Sequence, residues 1–445
     1  MTLVSAESPS SSRQCGIEAH YFFPWWINPL WGASVFVALL VAAGSLFGEE
    51  SYELWDVPKY VTVDLTLTAA ISGTGFLVGI ALALVKKSPG QWLSVRIGPQ
   101  TLRVCSNSAT VAFWLSMAGY GFWAVFALAQ GASIDHIRAI LDFQEGSVGA
   151  LKRVSAPVAG FTTFTQFAAI AVALRYFLTR LGFRDKQYQI YAILIFSVAR
   201  AFFLGERLAL IEVAVPIILL SVIVSRFRRE VSRNVLVRTF LPVLGVPALW
   251  SVFAVFEYSR SWLYYRMTTD KTFVEYITDR LVGYYATAIN NSSLYHLHVS
   301  GRPHDPVFSF TALWDSPVSS QLLGHGTFAG VEVREWWAAT LALNANPEFN
   351  NAGTFLVVDA DLGTVSAFFF WLGLGVIIGL SYVYMKRGRI EWMLVYTVSF
   401  IGILELLRII YWVQGRFVPT LIGLACFGYA IAKARGMDEV SRAAE

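Results

Sequence analysis

Charge is what this sequence has least of. Lys, Arg, Asp and Glu make up 14% of its 445 residues, against about 25% in soluble domains, and this excludes an ordinary water-soluble fold. Cysteine is also rare. Cys15, Cys105 and Cys426 are odd in number and far apart, which excludes a disulfide framework or a cysteine metal cluster; all three are expected to be structural. No internal repeat and no long Pro- or Ser-rich linker divides the membrane region. The net charge of +4 is too mild for a nucleic-acid-binding surface or an acidic tail, so no nucleic acid is expected as a partner. The first apolar run starts only near Leu30, after a polar leader whose one Lys or Arg is Arg13. That is late for a cleaved signal peptide, although Ala42-Ala43-Gly44-Ser45 has the small residues of a cleavage site.

What is present is apolar and aromatic. Hydrophobic residues reach 56%, and 33 Phe, 19 Tyr and 15 Trp suit aromatic belts at two membrane interfaces. A spanning helix needs about 20 mainly apolar residues. Candidate spans are 29–47, 63–85, 107–130, 156–178, 188–204, 207–225, 239–257, 363–385, 391–412 and 417–434. The short pair 188–204 and 207–225 reads as a tight hairpin.

Lys and Arg in the short loops set the orientation. With the N-terminus inside, the cytoplasmic segments hold 19 of them and the short outer loops hold five: Lys59, Arg138, Lys152, Arg153 and Arg416. The expected architecture is an all-α polytopic membrane protein with about ten transmembrane helices and both termini cytoplasmic. Residues 1–28 form a leader, 29–257 seven spans, 258–362 a long extracytoplasmic loop, 363–434 three spans and 435–445 a cytoplasmic tail.

Several charges break the apolar pattern. Arg200 lies near the outer end of its helix, and Arg207 begins the returning one after Glu206. Arg408 sits near the outer end of span 391–412, three residues after Glu405, and Arg416 fills the turn Gln414-Gly415-Arg416. The span model brings all four arginines to the outer interface. Charge at membrane depth marks a site, a pathway or an internal pair; snorkelling with structural Glu–Arg pairs is the alternative. Arginine grips phosphate through two parallel hydrogen bonds and stays charged. A lipid-linked diphosphate places its anion at this depth, so the four are expected to line one outward-open cavity, with Arg280 of the loop closing over it.

The outer segment adds aromatic and acidic chemistry. Phe273, Ile277, Leu281, Tyr284, Tyr285 and Ala288 recur at helical spacing, which predicts an amphipathic loop helix. Asn290-Asn291-Ser292 matches a glycosylation sequon, a pattern common by chance. His296 and His298 alternate but lack further ligands, and no metal is expected. Residues 354–361 are too short to span and read either as re-entrant or as the first turns of a longer helix. Asp359 and Asp361 stand at the mouth of the next span, where an acid is often only a helix cap.

Three stretches resemble the O-antigen and oligosaccharide repeat-unit polymerases (Wzy-type). They are Phe23-Pro24-Trp25-Trp26-Ile27-Asn28-Pro29 ahead of the first span, Ala199-Arg200 through Gly205-Glu206-Arg207, and Asn351-Ala352-Gly353-Thr354 through Asp359-Ala360-Asp361-Leu362-Gly363. Leu362 stands where that family often has Phe, and the doubled Asp359 and Asp361 leave two candidates for the matching acid.

The resemblance implies a GT-C-like membrane glycosyltransferase of the bacterial inner (plasma) membrane, working in lipopolysaccharide or exopolysaccharide biosynthesis. It would move a nascent glycan from undecaprenyl diphosphate to the next lipid-linked repeat unit on the outer face, without metal or other cofactor. Arg200, Arg207, Arg280, Arg408 and Arg416 would hold the diphosphate. Asp359, Asp361 or Glu206 would be the base, with Glu348, His296 and His298 as further candidates, and Tyr284, Tyr285 and Asn351 would contact sugar. The implied partners are an undecaprenyl-diphosphate-linked oligosaccharide, membrane lipid and a chain-length regulator protein. Three rivals stay open: an O-antigen-ligase-like transferase, a flippase for lipid-linked sugar, and a polyprenyl-monophosphate-dependent transferase using Glu49, Glu50, Glu53 or Asp56.

Overall fold

The computed structural model describes residues 16–86, 89–144, 146–158, 160–228 and 234–444. Cys15 and four of the orienting cations, Arg13, Lys87, Arg229 and Arg233, lie outside them. The longer helices are α1 (Pro29–Leu46), α2 (Val63–Leu84), α3 (Pro99–Ala129), α4 (Phe167–Arg180), α5 (Tyr188–Phe203), α6 (Arg207–Ile223), α7 (Val235–Glu257), α8 (Phe273–Val299), α9 (Val333–Asn344), α10 (Thr354–Leu362), α11 (Thr364–Lys386), α12 (Ile390–Ser399) and α13 (Val418–Ala444). Six are long and apolar enough to cross a membrane: α1, α2, α3, α7, α11 and the helix containing α13. The chain is an all-α membrane protein. The other four expected spans are helices of 14, 16, 17 and 10 residues (α4, α5, α6 and α12), short of the roughly 20 that a bilayer needs.

Local chemistry sets the helix boundaries. Asn28 caps α1, accepting from the Leu30 amide at 3.1 Å, and Pro29 opens the helix with no N–H to satisfy. Gly363, at φ +78°, turns the chain from α10 into α11. Glycines also let α2 and α11 touch. A Cβ at Gly79 would sit 2.1 Å from the Leu372 carbonyl oxygen, and one at Gly375 would sit 2.3 Å from that of Phe76. Small residues four apart on both helices give the close backbone approach that packs helices in lipid.

Span 391–412 is not one helix. Beyond Ser399 the chain continues only through Ile401–Leu404 and then leaves helical geometry. The Trp412 indole folds back to donate to the Ser399 carbonyl at 3.0 Å, and Thr354 at the start of α10 donates to the Leu406 carbonyl. Side-chain and cross-chain bonds of this kind are what irregular backbone at membrane depth requires.

The loop helix also differs from its expected form. α8 is 27 residues long, and only its first half is amphipathic; Ala286 to Tyr295 are all buried. The polar run Asn290-Asn291-Ser292-Ser293 hid that burial from a hydropathy reading. Asn290 accepts from the Tyr60 amide and donates to the Pro58 carbonyl, fixing the loop after α1. Asn291 donates to the Phe349 and Asn351 carbonyls. Both side chains are fully enclosed, so the sequon is not a glycan acceptor.

One small sheet was not anticipated. Strand β1 (Ile17–Phe22) pairs antiparallel with β2 (Trp92–Ile97) and with β3 (Val224–Ser225). It joins the leader, the α2–α3 loop and the end of α6. On the same side, Asp438 of α13 accepts from the Gln100 and Thr101 amides at the start of α3.

Candidate functional site

The five arginines singled out in the sequence are all ion-paired, and three of them, Arg207, Arg280 and Arg408, are joined through Glu257 and Tyr284. Arg200, near the end of α5, donates through Nε to Glu206 at 2.9 Å and stacks over Trp123 at 4.3 Å. Arg207, the first residue of α6, pairs with Glu257 at the end of α7 and donates to the Tyr284 hydroxyl at 3.2 Å. Glu257 is fully buried and also accepts from Arg280 at 2.6 Å. Arg280 in turn donates to Glu348 at 2.7 Å. Arg408 pairs with Glu405 at 2.9 Å and lies 5.4 Å from the Tyr284 ring. Arg416 pairs with Glu212 at 2.9 Å, and Glu212 also accepts from Tyr411 at 2.9 Å.

Tyr284 links the Arg207 and Arg408 pairs, and Glu257 links Arg207 to Arg280. The expectation that Arg200, Arg207, Arg408 and Arg416 line one outward-open cavity closed over by Arg280 is corrected: the cavity that Arg280 lines includes none of the other four, and each arginine is held by a glutamate. Each arginine holds a carboxylate, and the formal charges of five arginines and of Glu206, Glu212, Glu257, Glu348 and Glu405 cancel. The partners Glu212 and Glu257 lie 204 and 50 residues from their arginines, too far in sequence for pairing to be read from spacing. Two donors remain: the buried Nε–H groups of Arg408 and Arg416 have no partner in the structure, and unmet buried donors of this kind are costly.

Asp359 and Asp361 do not join this network. His296 lies sixteen residues along α8 from Arg280, about 24 Å of helix axis, and Asp359 bonds it at 2.8 Å. A base must reach its proton at about 2.6–3.2 Å, with reacting atoms about 3–3.5 Å apart. An acid beside His296 is therefore far from a phosphate held by Arg280, although α10 itself begins against Leu406, two residues from Arg408. Asp361 is enclosed and already accepts from Tyr295 (2.7 Å), His304 (3.1 Å) and the Ser309 amide (3.0 Å). The hydrogen bond that His304 donates to Asp361 raises the His304 pKa against the opposing effect of burial, and with its bonds to Tyr295 and Ser309, Asp361 ties the 301–310 loop to α8.

The sugar-contact candidates are only partly together. Tyr284 and Tyr285 both pack against the main core and both lie within electrostatic reach of Arg408, and Tyr284 also accepts from Arg207. Asn351 lines a different polar cavity of about 130 Å³ with Arg334, Thr311 and Gln414.

One cavity meets the network directly. It has a volume of about 250 Å³ and is lined by Trp55, Tyr265, Tyr276, Arg280, Glu348 and Phe349, among others. Three acids line it: Glu348 and Asp279, each with its side chain 39% exposed, and the exposed Asp56; of these Glu348 is the one bonded to Arg280. One oxygen accepts from the Tyr265 hydroxyl at 2.7 Å and the other from Arg280. Aromatic walls, an arginine and a reachable carboxylate suit a sugar ring beside an anion. Sequence reasoning placed Glu348 among the lesser candidates; the run of tyrosines from Tyr258 onward was the available signal for this wall. No protein-family model, curated protein or solved structure matches the chain.

Proposed function

We propose that the chain is a glycosyltransferase of the bacterial inner membrane that polymerises lipid-linked repeat units on the extracytoplasmic face. The observation that carries this reading is the joining of the arginine network to the aromatic Glu348 cavity through Arg280. A lipid diphosphate would exchange for carboxylates around Tyr284, taking donors from Arg207, Arg280 and Arg408. The sugar would occupy the cavity. Glu348 would take the proton of the attacking hydroxyl as the new glycosidic bond forms, and the anomeric carbon–oxygen bond to diphosphate would break. The leaving diphosphate keeps the electron pair, stabilised by the guanidiniums.

The orientation is part of the proposal. About ten membrane segments, with α4, α5, α6 and α12 as short or broken ones, leave both termini in the cytoplasm. The β1–β2–β3 sheet supports this by joining three segments assigned to one side. A cysteine at the exposed Ser300 is expected to react with a membrane-impermeant thiol reagent on intact cells. Labelling only after permeabilisation would reverse the topology.

A second reading has one observation in its favour: the charges of the network cancel, as they would in a flippase that must bury its site between states. Proteoliposomes separate the two. Given undecaprenyl-diphosphate-linked repeat units, the purified protein is expected to release a ladder of longer lipid-linked glycans. Translocation without elongation would replace the transferase reading with the transporter.

A further inference from the structure

A third cavity, of about 820 Å³, lies between α11, α12 and α13; it is lined by none of the five arginines, though its end at Trp412, Val413 and Phe417 comes beside Arg416. Its volume falls within the roughly 300–1,000 Å³ of small-molecule sites. The walls are apolar, with Phe370, Val395 and Leu424 among them. The exposed Phe369, Ile377, Leu421 and Tyr429 mark the open side. From Leu421 to Arg435 the cavity follows fourteen residues of α13, about 21 Å of axis. An acyl chain has this shape and this chemistry.

One end of the cavity is charged. Arg389, Arg435 and Glu391 line it. Arg435 pairs with Glu391 at 3.1 Å and, on the solvent side, with Glu439 at 2.6 Å. Arg389 stacks over Tyr384 at 5.0 Å. The end is not closed on itself. Glu391 is 6% exposed, yet among the described residues its Oε2 has no hydrogen-bond partner, and neither has the buried Nε–H of Arg435. A buried free acceptor beside a buried free donor calls for a ligand that offers both an anion and a hydroxyl.

We propose that this cavity is a binding site for an anionic, hydroxyl-bearing phospholipid of the phosphatidylglycerol type. Its acyl chains lie along α11 and α13, its phosphate meets Arg435 and Arg389, and a headgroup hydroxyl donates to Glu391. The inner leaflet supplies the lipid, which rests on the proposed orientation and not on the transferase reading. Basic pockets between membrane helices on the cytoplasmic side take anionic headgroups in this way.

Two glycines provide the test. Gly373 and Gly428 line the cavity, and a Cβ at either meets nothing within 4 Å. Gly428→Trp therefore fills the cavity without a clash at its base, and Gly373→Leu fills it from the facing helix should the first variant fail to fold. Native mass spectrometry of the full-length protein, incubated with phosphatidylglycerol or phosphatidylcholine, reads the occupancy. The expected result is one tightly held phosphatidylglycerol, preferred at least about tenfold over phosphatidylcholine. Arg389→Gln and Arg435→Gln should remove the preference, and the filling variants should lose the lipid while melting at an unchanged temperature. Equal retention of the two lipids, or full retention in the filled variants, would overturn the site. So would a lipid-free dimer that the filling variants split, which would assign the face to a second copy of the chain.

Discussion

Glu257→Ala is expected to lower the stability of the folded protein by roughly 3–5 kcal/mol, the scale for leaving buried charges without their partner. The Glu257 side chain has no solvent exposure and receives both Arg207 and Arg280. Its removal takes a buried carboxylate from two guanidiniums at once, leaving Arg280 to Glu348 and weakening the hold on Arg207, which keeps its bond to Tyr284. Ser261, which also donates to Glu257, loses its acceptor, so the junction between α7 and the 258–265 turn loosens too. Glu257→Gln keeps the shape and one acceptor oxygen, and its cost should be smaller. Adding Arg207→Met and Arg280→Met to the Ala variant should recover stability, because apolar replacement of a buried ion network is often neutral or better. Thermal unfolding in detergent measures this, and an Ala variant as stable as the parent would remove Glu257 from the centre of the network.

Glu348→Gln is expected to lower transfer by at least about a hundredfold, the usual scale for losing a positioned proton acceptor. The substitution is close to isosteric and its oxygen can still accept from Arg280 or Tyr265. Because the Glu348 side chain is 39% exposed, the melting temperature should hardly change. That separates it from Glu257, whose loss is structural. The measurement is the rate of ladder formation in proteoliposomes, with the variant matched to the parent for amount in the membrane. A normal rate would exclude Glu348 as the base and return attention to Glu206, which is paired with Arg200.

Much of the helical layout was legible because its signals are local. Asn28-Pro29 starts α1, Gly205 separates α5 from α6, and the apolar runs of α2, α7 and α11 agree with the sequence reading to within a few residues. The placing of Arg207 at the start of α6, near the joined Arg280 and Arg408, was also legible, since helix ends mark such positions. The neutralisation of the arginines was not. Glu405 is three residues from Arg408 and could be read as its partner, but Glu212 and Glu257 reach their arginines only through the packing of distant helices.

The break after Ser399 was hidden for the same reason. Ile401 to Leu404 is as apolar as any span, and the packing of Trp412 back over Gly402 where the helix ends joins residues ten apart that no local pattern connects. The doubled acids drew attention because of their place in the sequence. The structure bonds Asp359 to His296, sixteen residues along α8 from Arg280, and Asp361 to Tyr295, His304 and Ser309, while Glu348 bonds Arg280 directly, which makes Glu348 the candidate base.

The central claim is that the arginine network exchanges its carboxylates for a lipid diphosphate beside the Glu348 cavity. The most direct measurement is a structure with undecaprenyl diphosphate bound. The account predicts phosphate oxygens within about 3 Å of the Arg280 and Arg408 guanidiniums, with Glu348 facing the cavity. Intact Arg207–Glu257 and Arg408–Glu405 pairs, with the diphosphate bound elsewhere, would contradict it.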